Sequence, residues 1–402
     1  MIEYLLAIGI GILAGTITGL IPGIHVNLLS VMLISLSATL LQVTTPTTLA
    51  VFIIAMAVTH TFVDSIPSIF LGAPDPDMAL GVLPGHRMLL EGKGYEAVKL
   101  TVIGSFLALL ATAAIIPIMI PVVPKLFEII NPYIGHILAA VVIFMILNES
   151  SLNAKVWATF VFAISGVLGI FVLSYPNLNQ PLFPMLSGLF GVSTLLVSLN
   201  EKTTIPKQYI TESIVLKKSD TTKAIIAAVG SGSLTGMMPG LGSAQAAIIA
   251  MQVARNLSVN GFMVLIGGIN TVNFTFSLVT LFTLEKARNG AIVAVLQLLE
   301  SITFQQFLLF TLSAIITGCI AAMLTLKLAK IASKAIAKVN YQMLCITIII
   351  LITAMAIYFS GAIGLLILVT ATAIGILPPL LQVKRSMAMG CLLLPVILFF
   401  LL

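Results

Sequence analysis

Charge is scarce in this sequence. Of 402 residues, 19 are Lys or Arg and 13 are Asp or Glu, so 8% are charged, against about 25% in soluble domains. Residues 4–63 carry no Asp, Glu, Lys or Arg at all. A water-soluble fold of this size could not cover so much apolar surface. Cytosolic enzymes, secreted domains, nucleic-acid binders and disordered scaffolds are excluded together. Cysteine is scarce too. Cys319, Cys345 and Cys391 lie far apart in apolar surroundings, without a CxxC or a Cys/His cluster. That excludes a disulfide framework and a zinc site. HExxH, GxSxG and paired intramembrane aspartates are missing, so an enzyme is not expected. The first apolar segment has no basic stretch before it and outruns the core of a signal peptide, so it reads as a span.

What fills the chain is apolar. Hydrophobic residues make up 59% and the mean hydropathy is +1.19. The net charge of +6 is scattered in short loops between apolar runs, the habit of membrane proteins. Backbone polar groups in lipid are satisfied only in helices or closed barrels, and barrel alternation is absent. The expected fold is therefore an all-α polytopic membrane protein. A crossing needs about 20 residues. The charge-free intervals, cut at Gly and Pro, predict segments at 4–21, 24–42, 48–72, 100–120, 134–148, 154–174, 181–199, 221–238, 241–254, 261–284, 303–326, 343–359, 361–381 and 387–402. Polar connections fall at 73–99, 200–223 and 327–342. The last carries Lys327, Lys330, Lys334 and Lys338, and reads as an interfacial helix or a solvated charged face.

One similarity is internal. GTITGLIPG at 15–23 matches GSLTGMMPG at 232–240. Gly15, Thr18, Gly19, Pro22 and Gly23 align with Gly232, Thr235, Gly236, Pro239 and Gly240. The near-half-chain offset suggests a duplication, which is common in transporters. The expected organisation is an N-terminal repeat at 1–200 (motif 11–27), a cytoplasmic linker at 201–223 and an inverted C-terminal repeat at 224–402 (motif 230–247). Each repeat holds one motif pair and about five crossings. With residue 200 in the cytoplasm, all Lys and Arg except Lys125, Lys286 and Arg288 fall on the inner side. This positive-inside bias places both termini outside the cell membrane.

Proline breaks a helix and the following Gly tolerates the break. Each motif is therefore read as a snapped helix, favoured as a re-entrant hairpin over two full crossings. The second half-helix would present free N–H groups and a positive dipole end, suited to a carboxylate or phosphate. Candidate substrate contacts are Thr18, Gly19, Pro22, Gly23, His25 and Asn27 in one copy. In the other they are Thr235, Gly236, Pro239, Gly240, Gly242, Ser243 and Gln245. Against this, Gly11, Gly15, Gly19 and Gly23 also form a small-residue ladder, as do Gly232, Gly236 and Gly240, and such ladders serve plain helix packing or dimerisation.

Asp64 is the sole acid between residues 4 and 74, one helical turn after His60. Ionisable groups at membrane depth are costly and default to function. His60 and Asp64, with Asn270 and Asn273 in the second half, are candidates for ion coupling. The expected ion is Na⁺ or H⁺, the ligands of a Na⁺ site are not identified, and no cofactor is expected. Gly267 and Gly268 suggest a second unwound stretch.

Together these residues resemble the TctA-type permeases of the tripartite tricarboxylate transporters, especially their shorter archaeal-type relatives. The similarity is carried by AGTITGLIPGIHVN (14–27), GAPDPDMALGVLPGHRMLLEGKGYEAVKLTVIGSF (72–106) and GMMPGLGSAQAAIIA (236–250). The resemblance implies an ion-driven secondary transporter of di- or tricarboxylates. It also implies a small membrane subunit and an extracytoplasmic binding protein as partners. Apart from the resemblance, a second copy of the chain is a further candidate partner. The alternative cargo is an anionic lipid such as a polyprenyl phosphate, moved by a translocase of the same architecture.

Overall fold

A computed structural model describes residues 2–21, 40–72, 78–176, 178, 180–200, 206–211, 213–214, 216–238, 241–254, 256–287, 289–336 and 341–402. Among them all regular structure is helical, and seven helical stretches are long and apolar enough to cross a membrane. The protein is an all-α polytopic membrane protein.

In chain order the helices are α1 (Ile2–Leu20), α2 (Pro46–Val63), α3 (Ser65–Phe70), α4 (Val82–Leu90), α5 (Gly94–Ile130), α6 (Ile134–Leu147), α7 (Leu152–Ser174), α8 (Leu182–Leu186) and α9 (Ser193–Asn200). A π-helical segment, Ser187–Val192, joins α8 to α9. The second half holds α10 (Lys218–Met237), α11 (Ser243–Val253), α12 (Val259–Leu284), α13 (Gly290–Leu299), α14 (Phe304–Ile336), α15 (Tyr341–Leu380) and α16 (Gly390–Leu401). Local signals explain many of the starts. Thr45, Ser151, Ser258 and Asn289 accept a backbone N–H three residues on, satisfying one of the orphan donors of a helix N-terminus.

Two spans form the centre. Over an 18-residue apolar stretch of each span, 94% of the residues are buried in Pro46–Phe70 and 89% in Val259–Leu284, whereas in the other five the share lies between 22% and 44%. Around this pair α1 packs on α2, α10 on α12, and α5 on α12, while α14 lies against α2 and α5. In lipid the drive for such packing is close backbone approach at small residues. A side chain on Gly15 would collide with the Met56 carbonyl, one on Gly104 with the Val264 carbonyl, and one on Gly267 with the Thr101 carbonyl. A Cβ on Gly268 would lie 3.0 Å from Ala228 Cβ and 3.1 Å from Ala108 Cβ.

Several expectations need correction. Gly267 and Gly268 do not unwind anything: α12 is helical throughout, and both glycines are contact points for neighbouring helices. The 327–342 connection is not a separate element as far as it is described, because α14 runs on to Ile336. The segment at 100–120 extends over Gly94–Ile130 and carries Pro117, Pro121 and Pro124. The 73–99 connection contains α4 and the start of α5. Helix α13 was not expected. At 10 residues it rises about 15 Å, too short to cross.

α15 holds two arms. Gly361 has φ 64° and ψ −156°, a conformation costly for any residue with a Cβ. A Cβ on Gly364 would lie 2.5 Å from the Ala356 carbonyl oxygen. Eight residues of straight helix would separate the two by about 12 Å, so the chain reverses at Gly361. The two segments expected at 343–359 and 361–381 are these arms.

Candidate functional site

The polar residues of the central helices face inward. On α2, Thr59, His60 and Thr61 are buried, and Asp64 follows at the junction with α3, 2% exposed. The junction does not interrupt the helical path: Asp64 has φ −58° and ψ −21°, and its N–H donates to the His60 carbonyl at 2.9 Å. On α12, Asn270, Thr271, Thr275, Ser277 and Thr280 are buried.

These two rows meet. Asn270 Nδ2 donates to Asp64 Oδ2 at 2.6 Å and lies 3.4 Å from the Thr61 carbonyl. Thr61 Oγ1 and Thr271 Oγ1 are 3.3 Å apart. Two half-chains are therefore stitched at the centre by one carboxylate–amide bond and one hydroxyl pair. Burying a carboxylate is costly unless it is hydrogen-bonded and its charge is compensated. Asn270 supplies one such bond.

Around this centre the halves make matching contacts. Thr18 of α1 is buried and lies 3.1 Å from His60 Nδ1. Thr18 also donates to the Gly15 carbonyl at 3.1 Å. Both bonds form when His60 Nδ1–H donates to Thr18. In the second half Thr235 of α10 donates to Asn273 Oδ1 at 3.4 Å. The glycines beside them pack alike. Gly15 abuts Met56 and Thr59, and Gly232 abuts Ile269 and Val272. A Cβ on Gly19 would lie 2.8 Å from Val63 Cβ and 3.3 Å from the Asp64 nitrogen, and one on Gly236 would lie 3.1 Å from the Asn273 carbonyl oxygen and 3.3 Å from Phe276 Cβ. Gly19 thus lets α1 reach the backbone of Asp64, and the described glycines of both ladders serve close packing.

The second Pro-Gly motif does separate two helices. α10 ends at Met237 and turns extended at Met238 (φ −101°, ψ 135°), and α11 begins at Ser243 and packs back against α10. Gln245 Oε1 accepts the Gly242 N–H at 3.0 Å, closing the start of α11. Ser243 and Gln245 are buried. Of the candidates, Thr18, Gly19, His60, Asp64 and Asn270 form one connected group, Thr235, Gly236 and Asn273 a second, and Gly242, Ser243 and Gln245 a third. Pro22, Gly23, His25, Asn27, Pro239 and Gly240 lie outside the described residues.

Sequence reasoning missed Thr61 and Thr271, the hydroxyl pair at the crossing. It also missed Thr280, which donates to the Gly236 carbonyl at 3.1 Å across α10 and α12. The only signal for Thr61 and Thr271 was adjacency to His60 and Asn270, and Thr280 had none; hydroxyls in apolar helices ordinarily bond their own turn, as Thr61 also does to Val58.

A family model described as the tripartite tricarboxylate transporter TctA family matches residues 5–390. An uncharacterized protein of Methanocaldococcus jannaschii is 30% identical over 410 residues, covering 99% of each chain. No solved structure matches.

Proposed function

The chain belongs to the tripartite tricarboxylate transporter TctA family, and we propose that it is the ion-coupled permease of such a transporter, moving a di- or tricarboxylate by alternating access. It is a multi-pass membrane protein and a transporter component. Substrate, coupling and partners are the proposed part.

The Asp64–Asn270 bond carries the proposal. A carboxylate buried between two central helices is stabilised by taking up H⁺ or Na⁺, and the bond it makes across the helix crossing changes when it does. Binding of the ion is thereby linked to the fit between α2 and α12. The break between α10 and α11 offers the dipole end for the anionic substrate, with Ser243 and Gln245 at its base. The first motif, through Pro22, Gly23, His25 and Asn27, is proposed to complete that site. The matching Thr18–His60 and Thr235–Asn273 contacts support two copies of one unit, and the basic bias supports their inversion. Rocking of one copy against the other would alternate access.

Family membership favours a soluble carboxylate over the anionic-lipid translocase. It also supports a small membrane subunit and an extracytoplasmic binding protein as partners. The test is uptake of labelled citrate and succinate by proteoliposomes under imposed Na⁺ and pH gradients, beside an assay of polyprenyl-phosphate flipping. Carboxylate uptake without flipping supports the permease, and flipping alone rejects it.

A further inference from the structure

Away from Asp64, a cavity of about 220 Å³ opens where α4, the π-helical segment, α11, α12 and the loop before α16 come together. Leu80, Val82, Phe190, Met251 and Phe262 make its walls, and Lys384 and Arg385 stand in its lining. The two cations differ. Lys384 is 3.7 Å from the carboxylate of Glu149 and donates to the Asn148 carbonyl at 3.4 Å. Arg385 donates one N–H to Thr194 Oγ1 and has no carboxylate partner among the described residues. Thr194 in turn donates to the Phe190 carbonyl at 2.6 Å, so the guanidinium is fixed to the end of the π-helical segment. Such segments recur at functional sites.

Among the described residues no carboxylate pairs with Arg385. Burial, and then the nearby Arg87, pull its affinity for the proton down. A guanidinium does not deprotonate in a protein, so the strain of a partly buried cation beside a second one persists until an anion arrives. Five N–H donors in a planar fork match a carboxylate, of which Thr194 takes one.

We propose that Arg385 and this cavity form a second anion site, which takes a short carboxylate with its charged end on the guanidinium and its apolar stem against Phe190, Met251 and Phe262. The site shares no residue with the Asp64 group. The basic bias puts Lys384 and Arg385 on the cytoplasmic face, so the ligand comes from the cytoplasm. The walls are apolar and the cavity small, which selects a monocarboxylate over a polyanion and over a two-chain lipid.

The probe is labelled butyrate, titrated by equilibrium dialysis onto the full chain in phosphatidylcholine nanodiscs. Saturable binding is expected, weakened at least about tenfold in Arg385→Gln and unchanged in Asp64→Asn. Phe190→Trp fills the cavity without touching the charge and is expected to block butyrate as well, which keeps the test decisive should Arg385→Gln fail to fold. Adding phosphatidylglycerol to the nanodiscs is expected to leave butyrate binding as it was. Equal butyrate affinity in wild type and Phe190→Trp, or in wild type and Arg385→Gln, overturns the proposal. Displacement of butyrate by phosphatidylglycerol overturns it in favour of a lipid headgroup site. Loss of binding in Asp64→Asn shows that butyrate occupies the central site instead, and also overturns it.

Discussion

Asn270 Nδ2 sits 2.6 Å from Asp64 Oδ2, joining positions 206 residues apart. Replacing Asn270 by Ala leaves the carboxylate without that amide and is expected to lower stability by about 1.5–3 kcal/mol. Asn270→Asp sets two carboxyls together and is expected to be worse. The swapped double variant, Asp64→Asn with Asn270→Asp, restores an amide–carboxylate pair. Thermal unfolding of the four proteins forms a double-mutant cycle. Recovery of most of the loss in the double variant is expected, and simple additivity would contradict the pairing.

The Thr18–His60 bond has an Asn in the position that His60 holds, in the Thr235–Asn273 pair. His60→Asn is therefore expected to keep a partner for Thr18 and to unfold within about 1 kcal/mol of wild type. His60→Ala removes the ring from Thr18, which keeps only its bond to the Gly15 carbonyl, and is expected to fall by about 1–3 kcal/mol. Equal losses in the two variants would show that the bond is not what holds His60.

Gly104 touches the Val264 carbonyl so closely that an added Cβ has nowhere to go, whereas nothing lies within 4 Å of a Cβ at Gly9. Gly104→Ala is expected to cost about 1–3 kcal/mol or more, because a helix backbone must shift. Gly9→Ala is expected to be neutral. Melting curves in detergent check both, and a tolerated Gly104→Ala would refute the α5–α12 contact.

His86, on α4, is buried with Nδ1 against the Ile69 carbonyl at 3.0 Å. Burial pulls its pKa below the ordinary 6.5, with the carbonyl bond opposing. The unfolded chain then binds the proton more readily, so stability is full above about pH 6.5 and falls as the pH drops toward the folded value. The slope is about 1.4 kcal/mol per pH unit. His86→Gln is expected to flatten the melting temperature against pH on the acid side. An unchanged acid slope would show that another group carries it.

How much was legible in the sequence varies from element to element. Hydropathy showed the helices because lipid demands continuous apolar runs, and the Gly361 reversal was readable because two spans had to fit into one charge-free interval. The Gly ladders pointed to close packing, and one-turn spacing put His60 and Asp64 on one face. Gly267 and Gly268 misled, since glycine marks both unwinding and contact, and only the proximity of Thr101 decides between them. α13 was invisible because ten apolar residues fall below the length of a span. Asp64 meeting Asn270, and Arg385 meeting Thr194, depend on how distant helices cross, which no local pattern encodes.

Accumulation of labelled citrate or succinate in proteoliposomes, measured in wild type and Asp64→Asn, tests the coupling most directly. Wild type is expected to concentrate the carboxylate when a Na⁺ or proton gradient is imposed. Asp64→Asn is expected to keep exchange of internal for external substrate and to lose accumulation against the gradient. Full accumulation in Asp64→Asn would show that the buried carboxylate does not couple the ion to transport.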